Sequence, residues 1–311
     1  MRTLGPLWAQ APWVHRVQFP TLPLEPLQWG RRVNRRLRQH DLARLDAFVT
    51  EDTWLVFGKP CDLALELCGR YPRATTVFDV MDNMPAFSAG LAGRWMQTAE
   101  RDLVEQCNWM LTSSSALLER HASQRIKTRL AMNGLSTPPP LRRANEPRVA
   151  RPVVGYVGVI ASWFDWDAVI RLARLAPHCE FHLIGPCEGN VPSALPDNVR
   201  LLPPISQDAV YATMQSFDAG LIPFKVNNLT DFVDPVKFYE YRALGLPVLT
   251  TRFGEMRLRC AENGVFFVED IRSDDALRLA LQSATSAEEL LAFRAAHHWD
   301  QRFDSVDFFD L

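Results

Sequence analysis

Residues 217–251 read FDAGLIPFKVNNLTDFVDPVKFYEYRALGLPVLTT. A short apolar strand over Ala219–Pro223 opens into a polar loop. A helix over Val236–Leu244 follows, and then a second apolar strand, Pro247–Thr251. In open α/β sheets ligands settle at the carboxyl ends of strands, and helix N-termini favour phosphate. Pro235 suits the first helical turn, with Asp234 placed to cap it. Lys237 lies within that turn, where a cation opposes the helix dipole; an anion docked there would resolve the conflict. Glu240 sits one turn on and on the same face, and a carboxylate can accept two hydrogen bonds from a ribose diol. The bland alternative is an i, i+3 surface salt bridge, worth roughly a few tenths of a kcal/mol.

The same alternation extends backwards. Val153–Val159, Glu180–Ile184 and Val199–Leu202 read as strands. Trp166–Ala176, with apolar Ala168, Val169, Leu172 and Leu175, reads as a helix, as does Gln207–Gln215. Helices between short apolar strands predict a parallel sheet covered on both faces, a Rossmann-like unit over residues 153–295. Before it, Gly134 to Pro140 ends in three prolines, and the chain stays polar and Pro/Arg-rich to Pro152. That predicts an extended connector over 135–152. Residues 1–134 form a second α/β unit, with strands at Thr53–Phe57, Thr75–Phe78 and Trp109–Thr112 and helices at Cys61–Cys68 and Gly93–Cys107. It is shortened: a strong opening strand with a Gly-rich turn is missing, and Val14–Phe19 is the one strand expected among the early prolines.

With 311 residues the chain has room for two domains, and its 47% hydrophobic and 23% charged content excludes a disordered or fibrous protein. The net charge of −2 conceals an asymmetry: residues 1–150 hold 20 basic and 14 acidic side chains, so the excess of acids lies behind them. No stretch reaches the roughly 18 apolar residues of a membrane span. Arg2 and Ala9-Gln10-Ala11 give only a faint secretion cue, with too short an apolar core between them and Pro12 directly after. Six scattered cysteines without a CxxC pair predict buried thiols in a cytoplasmic protein, with no disulfide framework and no metal cluster.

Several ordered motifs resemble group 1 glycosyltransferases of the GT-B fold. In that family a strand "D-hydrophobic-P" precedes a helix "K-x-x-E-x-x-A-x-G-x-P-V". Here those positions are Asp218 and Pro223, then Lys237, Glu240, Ala243, Gly245, Pro247 and Val248. Asn133-Gly134 stands before the connector as the family's "NG" does, and Gly155–Gly158 matches its first strand of the second domain. Phe181–Gly185 and Val199–Pro204 match the next two strands, and His298–Arg302 looks like a terminal "SW-x-x-R". The resemblance implies two Rossmann-like domains facing a cleft, with residues 296–311 returning toward the first. It implies a nucleotide-diphosphate sugar as donor substrate, no other cofactor and no metal. Glu240 would hold the ribose, and Lys237 with Asp234, Pro235 and Val236 would face the diphosphate. The loops at Gly158 and Gly185, together with Pro203 and Phe224, would wall base and sugar. Two positions depart from the pattern. Phe232 replaces a second glutamate eight positions before Glu240, and Ala161–Asp167 replaces the usual Arg and Lys after the first strand. Both point to a branch resembling bacterial polysaccharide and teichuronic-acid enzymes.

In the front half, Val77–Met84 resembles that branch's "YD-x-x-DD". Asp79 and Asp82 are candidates for deprotonating an acceptor hydroxyl, or else cap the following helix. Among the front histidines, His121 is expected to be an exposed helical residue. Arg31, Arg32, Arg35, Arg36 and Arg38, with Trp29, Val33 and Leu37 on one side, predict a short basic amphipathic helix. It suits a lipid-linked saccharide acceptor at the inner membrane face; a plain solvated helix is the competing reading. The arginines lack an aromatic stacking platform, so no nucleic-acid partner is expected. Sugar transfer to a saccharide or lipid-linked saccharide hydroxyl, in cell-surface polysaccharide synthesis, is the activity these readings favour. A nucleotide-sugar epimerase of similar shape, or a non-catalytic binding or scaffold protein, remains the alternative.

Overall fold

A computed structural model describes residues 17–136, 151–260, 264–283 and 285–306. The front part runs α1 (Gln28–Leu45), β1 (Trp54–Phe57), α2 (Asp62–Arg70), β2 (Thr75–Val80), α3 (Gly90–Gln106), β3 (Trp109–Thr112), α4 (Ser115–His121) and β4 (Lys127–Leu130). Its strands pair in chain order as a four-stranded parallel sheet. Residues 17–19 carry no strand, and the rest of the expected Val14–Phe19 element lies outside the described residues. Among the described residues the front sheet therefore starts at β1, behind a helix of 18 residues.

The back part contains β5 (Val153–Val157), α5 (Trp166–Leu175), β6 (Glu180–Ile184), β7 (Val199–Leu202), α6 (Val210–Met214), β8 (Ala219–Ile222), α7 (Val236–Ala243), β9 (Val248–Thr250), β10 (Val265–Phe267), α8 (Asp274–Leu281), α9 (Ala287–Ala296) and α10 (Trp299–Asp304). The expected Gln207–Gln215 helix divides into a 3₁₀ turn and the short α6. All six strands are parallel, in the order β10-β9-β8-β5-β6-β7. The order reverses between β5 and β8, and a crevice opens at the carboxyl ends of strands at such a switch point.

Local chemistry explains these elements. β8 is buried at every position because helices cover both faces, so it reads as a continuous apolar run. α5 begins where the Asp165 side chain accepts from Ala168 N at 3.0 Å, and it buries Ala168, Val169, Leu172 and Ala173. Helix α7 approaches the sheet closely because Gly220 leaves room for the Tyr241 ring. The Tyr241 hydroxyl donates to Gly155 O at 3.2 Å and accepts from Val157 N at 3.3 Å. The aromatic ring thus bolts the helix to β5 and β8, which sets the direction of its first turn.

Most of the expected connector, 137–150, lies outside the described residues. On its near side Leu135 N donates to His297 O at 2.8 Å, and Trp299 N donates to Leu135 O at 3.1 Å. Val306, just beyond α10, is buried with Val77, Trp109 and Leu111 of the front sheet. No helix among the described residues is long and apolar enough to cross a membrane. Cys68, Cys107 and Cys179 are buried as expected, whereas Cys187 and Cys260 are exposed and Cys61 is half-buried.

Candidate functional site

The first turn of α7 lies at the switch point. Lys237 is half-buried, its ammonium 5.3 Å from the Tyr156 ring centroid. A Cβ on Gly158 would come within 2.7 Å of Lys237 Cε and 2.8 Å of its Nζ, so the glycine is what lets the lysine lie flat on the backbone. Gly158 has φ of +149° and Gly185 has +141°. A side chain at Gly185 would strike the Gly158 backbone. The loops after β5 and β6 are therefore stacked, joined by Gly158 N donating to Ile184 O at 2.9 Å.

Burial lowers the Lys237 pKa, an effect that Glu240 partly opposes; burial raises that of Glu240, which Lys237 partly opposes. The two side chains share a face without a direct ion pair, which removes the surface-salt-bridge alternative. A partly dehydrated cation at a helix start is costly alone and is relieved by an anion.

Asp234 does not cap the helix. Pro235 is the N-cap residue, and α7 begins at Val236, which is exposed. The buried Asp234 carboxylate instead accepts from Asn133 N at 3.0 Å, Tyr239 OH at 2.7 Å and Arg259 Nη2 at 2.9 Å. Asn133 Nδ2 also donates to Asp234 O at 2.6 Å. Capping lost to this network because three donors, including a guanidinium, converge on one buried carboxylate.

Between the two sheets lies a cavity of 320 Å³, lined by Asp82 and Phe87 from the front and by Tyr156, Trp163, Phe224 and Lys237 from the back. It brings the expected acceptor-side carboxylate and the expected phosphate-side cation to one space. A second cavity of 280 Å³ lies between the loops after β5 and β6, against Ile160, Trp166, Cys187 and Lys225. Pro203 is exposed and lines neither of these two cavities.

Asp79 sits on β2 and Asp82 just after it. Burial raises each to about 6. The capping alternative fails at the 3₁₀ turn that follows: its N-cap is Asn83, without a side-chain bond. Asp79 does not line the cleft cavity, whereas Asp82 does.

Sequence reading missed the residues that join the two units. Asn83 accepts from Arg120 Nη1 at 2.8 Å and donates to Asn228 O at 3.2 Å. Arg120 also pairs with buried Glu100 at 2.6 Å and lies 5.5 Å from the Phe232 ring centroid. Phe232, standing where relatives carry an acid, packs against the front core. Ser115 N and Oγ donate to Glu255 at 2.5 and 3.2 Å. Phe87 and Trp163 meet edge-on across the cleft at 6.4 Å. Asn83 had a signal in its place beside Asp82, and Phe232 in its departure from the pattern; the bonds from Ser115 to Glu255 and from Asn83 to Asn228 span 140 and 145 residues, which no local pattern records.

His121 is buried, not exposed, because α4 turns Leu117 and His121 to the same inner face. Burial and Arg120 lower its pKa to about 4. The arginine cluster also divides differently from the expectation. Arg38 is fully buried, bonded to Asp62 at 2.5 Å and Glu66 at 2.6 Å, and Arg35 pairs with Asp62 at 2.8 Å. Arg31 lies 4.1 Å over the Trp95 ring. Those three arginines bind α1 to α2 and α3, so only Arg32 and Arg36 remain directed outward. The outward stripe also holds Trp29 and Leu37, 57% and 46% exposed, and Arg44.

No family model matches the chain, and no curated protein sequence does. Solved structures do match. The chain superposes on sucrose-phosphate synthase from Thermosynechococcus elongatus with a TM-score of 0.67 at 15% identity, over 95% of this chain and 82% of that one. Against TarM the TM-score is 0.61 at 13% identity, over 85% of this chain and 56% of that one. Against Anabaena HepE in complex with UDP it is 0.61 at 14% identity, over 89% and 84%. The fold is GT-B: two Rossmann-like units with parallel sheets facing a cleft.

Proposed function

We propose that the chain is a glycosyltransferase that moves a sugar from a nucleotide-diphosphate donor to a hydroxyl of a saccharide. The observation that carries this reading is the single cavity shared by Asp82 and Lys237. The diphosphate lies against Lys237 and the free N–H groups at the start of α7, and Glu240 accepts from the ribose. Base and sugar occupy the space between the loops at Gly158, Gly185 and Phe224. The acceptor oxygen bonds to the anomeric carbon as the bond to the diphosphate oxygen breaks, and Asp82 takes the hydroxyl proton. Lys237 and the helix dipole stabilise the departing diphosphate. Asp79 is the less favoured base, being outside the cavity. HepE, of like fold, is solved with UDP, which makes UDP the first probe.

Calorimetry with UDP tests the donor turn: Lys237→Ala and Glu240→Ala each weaken binding by about tenfold, the loss expected for one charge-assisted hydrogen bond. Unchanged affinity in both variants overturns the assignment. Asp82→Asn keeps UDP binding and loses turnover of a labelled sugar nucleotide.

The outward stripe of α1 supports a finer reading, a lipid-linked acceptor at an anionic inner leaflet in cell-surface polysaccharide synthesis. Trp29, Val33 and Leu37 recur every four residues beside Arg32, Arg36 and Arg44, and each arginine near anionic lipid contributes about 1 kcal/mol. Co-sedimentation with phosphatidylglycerol vesicles falls in the Arg32→Glu/Arg36→Glu variant. Equal sedimentation of variant and parent rejects the membrane contact.

A further inference from the structure

Helix α7 has a second face. Lys237 and Glu240 point one way along it; Tyr239 and Arg242, about half a turn around, point the other. Behind that second face lies a cavity of 730 Å³, more than twice the volume of the cleft cavity. It is walled by the front unit at Ser115 and Met132, by α9 at Ala292 and Phe293, and by Arg302 on α10. Donor chemistry has no part in it.

Its charges are unevenly satisfied. Arg259, on the wall, is already paired with Asp234 at 2.9 Å. Arg242 is only 8% exposed, donates from Nη1 to Leu246 O at 3.0 Å, and leaves its buried Nε without a partner. No carboxylate lies within ion-pair distance of it among the described residues; dehydration of its guanidinium works against the charge, opposed in part by the more distant Glu289 carboxylate. Arg302 donates from Nε to Asn133 O at 3.2 Å and likewise forms no ion pair among the described residues. Two acids share the wall. Glu255 is engaged by Ser115, and Glu289 by Ser286 N at 2.7 Å in the capping box of α9. The capping bonds with Ser286 lower the Glu289 pKa, Arg242 adding to the effect, and its side chain is exposed, where salt screens it. Burial lowers the His297 pKa, against the bond to Phe293 O, and Arg302 and Arg259 add to the lowering.

Two guanidiniums without a close carboxylate among the described residues therefore share one chamber with acceptor carboxylates and the hydroxyls of Ser283 and Thr285. A singly phosphorylated polyol answers both halves: its phosphate meets the cations and its hydroxyls donate to the acids. A polyanion is disfavoured by Glu255, and a neutral sugar leaves Arg242 without a close anion. Volumes of this order hold small organic ligands. We propose that the cavity behind α7 is a binding site for a small phosphorylated polyol, with Arg242 and Arg302 as its phosphate ligands. The site stands apart from the donor turn and does not depend on the reading of that turn.

Calorimetry on the full chain, with and without saturating UDP, tests this with glucose 6-phosphate, inorganic phosphate and glucose as probes. Glucose 6-phosphate binds at one site in both conditions, and glucose alone does not. Tight binding of inorganic phosphate, equal to that of the ester, shows an anion site without a polyol subsite and overturns the proposal. Arg302→Ala weakens glucose 6-phosphate binding by about tenfold. Ala292→Trp, an exposed α9 position turned to the cavity, blocks it without touching a buried charge and guards against a variant that fails to fold. Competition by UDP, binding unmoved in both variants, or no binding of glucose 6-phosphate each rejects the site.

Discussion

Asp79 and Asp82 carry the sharpest test of the cleft. Each carboxyl is raised from 3.8 to about 6, and burial alone is the cause. That is about two pH units, or about 3 kcal/mol per group at 1.36 kcal/mol per unit, reduced to about 2 kcal/mol because both side chains keep some contact with water. The folded value lies above the unfolded one. The stability each group contributes is therefore fully present below about pH 4 and is lost as pH rises through about 6. At neutral pH the folded chain bears two dehydrated charges. Asparagine cannot ionise, so Asp82→Asn should be more stable than the parent by about 2 kcal/mol near pH 8, with the gain falling away below about pH 4. Urea unfolding at both pH values reads the difference through the midpoint at constant slope. Since neither shift draws on the other carboxylate, the Asp79→Asn and Asp82→Asn gains should add. A gain independent of pH, or a loss at pH 8, would refute the account of a dehydrated carboxylate waiting for an acceptor proton.

Two further outcomes follow from buried charge. Arg38→Met removes the buried guanidinium that Asp62 and Glu66 share, leaving fully buried Asp62 with the half-exposed Arg35 alone, and should cost about 3 kcal/mol in urea unfolding, whatever lipid is present. Asp234→Ala strands Arg259 and Tyr239 and should cost a similar ~3–5 kcal/mol, with a weaker grip on Asn133 visible as faster amide exchange there.

Much of the back unit was legible because its signals are local. A strand such as β8 is apolar at every position, and α5 repeats its buried residues at helical spacing, so neither needs a distant partner to be seen. The turn at Asp234-Pro235 was placed correctly, yet the role of Asp234 was not. A cap is a local contact, whereas the donors from Asn133 and Arg259 arrive from 101 and 25 residues away. Helix α1 failed in the same manner. Its periodicity marked Trp29, Val33 and Leu37 as one face, but the face actually buried holds Gly30, Asn34, Arg38 and Leu42. Acids on α2 made a polar side the inner one, and no pattern within α1 records them. The cleft residues Asp82 and Lys237 were each found by type and position; that they share a cavity depends on how two sheets meet.

The bond from Asn133 to Asp234 ties the last residues before the connector to the turn where the donor phosphate is expected. Any change in the angle between the two units must pull on that turn, since the backbone N–H and the side-chain amide of one residue both grip it. Grip on the nucleotide and the tilt of the front unit are then one mechanical variable. A substitution at Asn133, far from any sugar, would register as a change in nucleotide residence time.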